Sequence, residues 1–157
     1  MVLFCKGKKI SWITRFFSFE SIFILFLLNY RLWFRDAFNW LQIISWIFLF
    51  ASIYPGIAGF LTLKRVGKPK ENFENTTALV RSGIYKYIRH PLYCSLLLLG
   101  TGIVFKDPGP FQIIPGIINI IAIYFTARIE EKEMTAKFGE QYIDYMKDTK
   151  MFIPFLF

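Results

Sequence analysis

Between Ser82 and Tyr93 the sequence reads SGIYKYIRHPLY, which sets Arg89, the sole histidine His90 and Pro91 among Tyr85, Tyr87 and Tyr93. Further along, Arg128 precedes an adjacent acidic pair, Glu130 and Glu131. Histidine moves a proton near neutral pH. Glutamates accept hydrogen bonds from ammonium and hydroxyl groups, and arginine pairs with carboxylates through a planar fork. Tyrosine rings offer faces to a flat heterocycle or a cation. Each piece alone has an ordinary explanation: interfacial tyrosines form belts, arginines snorkel to phosphate, and acids favour the start of a helix. The case for a site is that all of them fall together at one membrane edge, where ionisable groups are functional candidates.

That edge follows from the elements that must carry these residues. Of 157 residues, 55% are apolar and 20% aromatic, including 19 Phe. This is more than a soluble core of that size requires, and the apolar residues gather in long uncharged runs. Such a composition excludes a disordered chain, a disulfide scaffold and an ordinary cytosolic enzyme. Apolar stretches from about Trp12 to Phe34 and from about Trp40 to Leu63 are long enough as helices to cross roughly 30 Å of hydrocarbon. The first is read as a retained anchor, since no small-residue cleavage site follows it.

Two shorter stretches, Leu92 to Phe105 and Phe111 to Ala127, flank the turn signal Lys106-Asp107-Pro108-Gly109-Pro110. The first of these begins at the His90 and Pro91 pair, because proline suits the first helical position. Pro55 and Pro115 fall inside the second and fourth spans and should kink them. After Arg128, the recurrence of Met134, Phe138, Tyr142 and Tyr145 predicts one amphipathic helix on the membrane surface. The expected fold is therefore an all-α integral membrane protein of about four transmembrane helices plus a C-terminal amphipathic helix. Residues 1–78 form a transmembrane hairpin and cytoplasmic connector, and residues 79–157 a second hairpin with the amphipathic helix, all in one structural unit.

Sixteen of the 19 lysines and arginines precede or open the first span (Lys6, Lys8, Lys9, Arg15), lie from Lys64 to Arg89, or lie from Arg128 onward; only Arg31, Arg35 and Lys106 lie near the other turns. The positive-inside rule then puts both termini in the cytoplasm. The net charge of +8 is assigned to loops and anionic headgroups instead of a nucleic-acid partner. Cys5 and Cys94 have no partner spacing, so neither a disulfide framework nor a metal site is supported. Asn75-Thr76-Thr77 matches a glycosylation sequon on the wrong side of the membrane. GxGxxG, P-loop, HExxH and GxSxG patterns are absent. Gly100-Thr101-Gly102 is read as a close-packing motif.

The order of Leu79-Val80-Arg81-Ser82-Gly83-Ile84-Tyr85, Ile88-Arg89-His90-Pro91-Leu92-Tyr93, Glu130-Glu131, Phe138-Gly139-Glu140-Gln141-Tyr142-Ile143-Asp144-Tyr145 and Ile153-Pro154 resembles the isoprenylcysteine carboxyl methyltransferase family, over about half of the chain. The resemblance implies an integral membrane methyltransferase using S-adenosylmethionine, with Tyr85, Arg89, His90, Pro91, Tyr93, Glu130 and Glu131 at the cofactor. It implies catalytic roles for Arg89, His90 and Arg128. The partners would be membrane lipid and a lipophilic small-molecule or prenylated acceptor. Arg128 or Arg89 would orient a carboxylate acceptor, whereas an amine would need His90 or a Glu as base. Only one of Glu130 and Glu131 can fully face the pocket, with Glu131 preferred. Replacing it by Gln is then expected to cost cofactor affinity and little stability.

The RHPxY segment is also similar to that of NADPH-dependent membrane sterol reductases, which usually carry Asn where this chain has Leu92. A non-enzymatic membrane scaffold is the third reading. The topology is tested by cysteine labelling: a cysteine at Lys68 should react only from the cytoplasmic side and one at Asp107 only from the other, and the reverse pattern would overturn the orientation.

Overall fold

The computed structural model describes residues 2–35, 38–67 and 78–154, with side chains from Trp12 onward in the first helix. The sequon, Lys68 and the side chain of Cys5 lie outside the described residues. Every regular element is helical among those described: α1 (Val2–Asn29), α2 (Trp40–Val66), a 3-10 turn (Gly83–Lys86), α3 (Pro91–Val104), α4 (Pro110–Phe138) and α5 (Glu140–Asp148). The boundaries have local causes. Asn29 folds its side-chain amide back onto the Leu25 carbonyl at 2.9 Å where α1 stops. The Asn39 side chain caps α2, accepting from the Leu41 N–H at 3.4 Å. Pro91 and Pro110 occupy the opening turns of α3 and α4, where the missing N–H would have no helical partner.

Among the described residues, three helices are long and apolar enough to cross a membrane: the Trp12–Asn29 part of α1, α2 and α4. With 14 residues, α3 reaches only about 21 Å. The expectation of about four spans thus resolves into three long helices and one short apolar one. Helix α1 also stops at Asn29, earlier than the expected Phe34, because residues 30–35 turn back toward α2.

α1 lies along α4 and α2 along α3, with α3 and α4 in contact. The packing is inverted relative to a soluble protein. Phe16, Phe23, Phe50, Phe111 and Phe125 point outward, while Ser18, Ser21, Ser45, Asn119 and Thr126 are buried. Lipid tails are as apolar as phenylalanine, so helices are joined by small residues and hydrogen bonds. Asn119 donates to the Ser18 carbonyl and hydroxyl, both at 3.2 Å. Ser45 donates to the Gly102 carbonyl at 2.6 Å. A Cβ on Gly102 would meet Leu49 side-chain atoms at 3.0 Å and its backbone nitrogen at 3.1 Å, so the close-packing reading of the glycine pair holds.

The single amphipathic helix expected after Arg128 is instead two elements. Helix α4 continues to Phe138, carrying Met134 and Phe138, and Gly139 breaks it at φ +57°, a conformation that L side chains resist. Tyr142 and Tyr145 then sit on the buried side of α5. Glu130 and Glu131 consequently lie well inside a helix, which removes the explanation that they favour a helix start. Gly102→Val should lower stability by about 1–3 kcal/mol through overpacking, read as an earlier unfolding midpoint in detergent.

Candidate functional site

The site is assembled from α1, the segment entering α3, the C-terminal half of α4 and the stretch following α5. Residues 149–151 run beside residues 87–90. The Lys150 N–H donates to the Tyr87 carbonyl (3.2 Å), Arg89 N–H to the Lys150 carbonyl (2.8 Å) and His90 N–H to the Met151 carbonyl (3.1 Å). These bonds satisfy the backbone ahead of Pro91 and fix the angle at which Arg89 and His90 leave the chain.

Arg89 points into the bundle. Its Nε donates to Glu131 Oε1 at 2.8 Å, and its Nη1 donates to the Met146 carbonyl at 3.2 Å and to the Thr149 carbonyl. Those carbonyls belong to the end of α5 and the residue following it, where a helix lacks partners and a cation is favoured. Glu131, its side chain 4% exposed, also accepts from Arg128 Nη1 at 3.1 Å. Glu130 accepts from Arg15 of α1 and from the Tyr93 hydroxyl.

His90 lies between the two carboxylates. Its Nδ1 is 3.7 Å from Glu130 Oε2 and its Nε2 is 3.6 Å from Glu131 Oε1. The ring stacks on Tyr93 at 5.6 Å and meets Phe152 at 6.1 Å. At 8% exposure the residue is buried, and Nε2 has no hydrogen-bond partner. A buried polar atom left in this state calls for an explanation, and an absent ligand is one.

Arg89, His90, Tyr93, Arg128, Glu130 and Glu131 are thus brought together as the sequence suggested. Tyr85 and Pro91 stand to the side. Tyr85 is buried in the 3-10 turn, and its carbonyl accepts from the Tyr145 hydroxyl at 2.6 Å. Pro91 packs against α2, where a Cβ on Gly59 would come within 2.9 Å of its ring. Burial pushes the phenols of Tyr85, Tyr142 and Tyr145 upward, reinforced at Tyr85 by Tyr145 and Glu130 and at Tyr142 by Glu131. All three stay neutral at physiological pH and supply no base.

Sequence reasoning missed Arg15, counted there only among the basic residues. Nearby Thr14 bonds Thr126 at 2.7 Å, so α1 is tied to the site's own helix. The signal was present in the polar series Thr14, Ser18 and Ser21, which recurs at helical spacing in an otherwise apolar segment.

Fold and site together define a membrane-embedded helical protein with a buried Arg-His-Glu cluster at one end of its long helices. The pattern of the phospholipid methyltransferase family matches residues 40–141, and the chain belongs to that family. It is 30% identical over 89 residues, 55% of its length, to protein-S-isoprenylcysteine O-methyltransferase A of Arabidopsis thaliana, of which the match covers 45%. To protein-S-isoprenylcysteine O-methyltransferase of Mus musculus it is 33% identical over 88 residues, 52% of this chain and 29% of the mouse protein. To methanethiol S-methyltransferase of Pseudomonas deceptionensis it is 29% identical over 101 residues, 64% of this chain and 36% of the relative. The chain therefore spans less than half the length of each of these relatives.

Glu131→Gln leaves Arg89 buried without the one carboxylate it pairs with among the described residues, with only the Met146 and Thr149 carbonyls as acceptors. It should destabilise the protein by about 3 kcal/mol, toward the lower end for a broken buried pair. This differs from the expectation that such a change spares stability, and thermal unfolding without ligand measures it. Glu130, half-buried, should tolerate the same change with a loss of about 1 kcal/mol.

Proposed function

We propose that this protein is an S-adenosylmethionine-dependent methyltransferase that modifies a lipophilic acceptor at the cytoplasmic face of a membrane, with both termini on that side. The reading rests on one observation above the others. In a chain of this family, two adjacent glutamates flank a buried histidine whose Nε2 is unpartnered.

The residues present fit the cofactor. It supplies, when bound, an electrophilic methyl group on a sulfonium. Glu130 and Glu131 differ in what they can offer its positive groups. Glu131 is held by two arginines, whereas Glu130 is 20% exposed and held by Arg15 and Tyr93. Glu130 is therefore the carboxylate better placed to exchange a partner for an incoming cation. Arg128, 52% exposed, is the guanidinium with room to meet a carboxylate from the aqueous side. His90 and Tyr93 present stacked rings for a flat base. Arg89 acts as a positioning residue, fastening α5 and the following stretch over the cluster and excluding water. Displacement at a methyl group needs alignment above all, so no covalent nucleophile on the protein is required.

Calorimetry on the full chain in detergent should show micromolar binding of S-adenosylmethionine and of its demethylated product, and none of NADPH. Heat with NADPH alone would overturn the reading in favour of a reductase. Glu130→Gln should weaken cofactor binding about 10- to 150-fold, the loss of one charge-assisted bond of roughly 1.5–3 kcal/mol. An unchanged affinity would remove Glu130 from the cofactor site.

A further inference from the structure

At the end of the bundle away from the Arg-His-Glu cluster, the turn that joins α3 to α4 buries a lysine. Lys106 is 4% exposed. Its Nζ donates to Gln42 Oε1 at 2.9 Å and lies over the rings of Trp46 at 3.7 Å and Trp33 at 5.4 Å. The same Gln42 amide donates from Nε2 to the Lys106 carbonyl at 3.0 Å. With both of its ends engaged, the amide keeps its oxygen on the ammonium and fixes where the charge sits.

All of these partners are neutral. Among the described residues no carboxylate lies within ion-pair distance of the ammonium, and the adjacent Asp107 is exposed and accepts from Gln112 at 3.4 Å. A buried cation is ordinarily paired, and a methionine would fill the same space without the desolvation of a charge. The missing counter-charge has room to enter. A cavity of about 280 Å³ is lined by Lys106 and Gln42, with Arg35, Asn39, Leu32 and Leu41 also in its wall. Two cations against one carboxylate, Asp107, make that lining net positive, which favours an anion. The volume falls just below the ~300–1,000 Å³ of sites that enclose a whole small molecule, and suits a headgroup whose chains lie outside. Its position agrees with that. The spanning part of α1 ends at Asn29 and α2 begins at Trp40, so the cavity lies where hydrocarbon gives way to headgroups. Trp40, 65% exposed, is an amphipathic ring of the kind found at that level.

We propose that this cavity binds the phosphodiester headgroup of an anionic phospholipid in the leaflet opposite the charged cluster, the phosphate supplying the counter-charge that Lys106 lacks. Arg35, exposed at the rim, adds a second cation. Inorganic phosphate offers the same oxyanion but no chains for the apolar part of the wall at Leu32 and Leu41, so the lipid is the favoured source. The site is independent of the chemistry proposed for the other end of the bundle.

The test is thermal unfolding of the full chain in dodecyl maltoside, an uncharged detergent, titrated with dioleoylphosphatidylglycerol, each variant being compared with its own lipid-free value. The lipid should raise the melting temperature of the unaltered protein saturably. Lys106→Met should need about tenfold more of it for half of the rise, the loss of one charge-assisted contact. Lys86→Gln combined with Lys150→Gln removes two exposed cations at the other end and should leave the titration unchanged. Dioleoylglycerol, which lacks the phosphate, and millimolar inorganic phosphate, which lacks the chains, should give no rise. An unshifted titration with Lys106→Met, or an equal shift with the Lys86 and Lys150 pair, would overturn the site. A rise with dioleoylglycerol or inorganic phosphate equal to that with the lipid would overturn the phospholipid headgroup as its occupant. Should Lys106→Met fail to fold, Arg35→Gln decides: a rim charge should move the half-point about threefold, and an unmoved half-point would overturn the site.

Discussion

A cluster of charged side chains at the end of apolar helices has to be neutralised within itself, and the contact between Arg89 and Glu131 is where that happens. Arg89 sits on the segment entering α3, Glu131 on α4, and the carbonyls that complete the guanidinium's bonding come from the end of α5 and Thr149. One side chain thereby fixes the mutual position of three elements. A lysine could not do the same, because its compact ammonium lacks the planar fork that addresses a carboxylate on one edge and carbonyls on another. With Arg89 and Glu131 in place, the neighbouring Glu130 is left to Arg15 and Tyr93, and His90 is held between the two carboxylates.

The rest of the bundle explains how such a cluster survives beside lipid. Polar contacts are buried along both long pairings, Asn119 with Ser18 and Thr126 with Thr14 between α1 and α4, and Ser45 with Gly102 between α2 and α3. At the opposite end, Lys106 is buried with its ammonium 2.9 Å from Gln42 Oε1 and 3.7 Å from the Trp46 ring centre. Burial lowers the affinity of that ammonium for its proton, and the amide and indole offset part of the desolvation. Each end of the α3 and α4 pair thus carries an ionised group held by side chains instead of water.

Much of this was legible in the sequence because it follows from local rules. Uninterrupted apolar length marked α2, the proline after His90 marked the start of α3, and the association of RHPxY with a later acidic pair marked the site and its family. What escaped notice depended on distance along the chain or on one backbone torsion. The spacing of Met134, Phe138, Tyr142 and Tyr145 runs unbroken through Gly139, so periodicity could not reveal the break that turns α5 inward. The Met146 and Thr149 carbonyls that hold Arg89 belong to backbone and carry no side-chain signature. Arg15 resembled any interfacial cation, since its partner Glu130 lies on α4, brought near only by the pairing of α1 with α4.

The short parallel pairing of Ile88 with Lys150 bears on the order in which the molecule forms. It closes a loop that contains all of α3, α4 and α5, and closing so long a loop gains nothing until the hairpin inside it has brought its ends together. The helices must therefore fold before the backbone around Arg89 and His90 acquires its final shape. The same dependence runs in reverse. Peeling residues 149–151 away removes only the Thr149 carbonyl from the guanidinium, which keeps Glu131 and the Met146 carbonyl, so the region where chemistry is proposed can loosen at its edge while the helical core stays intact.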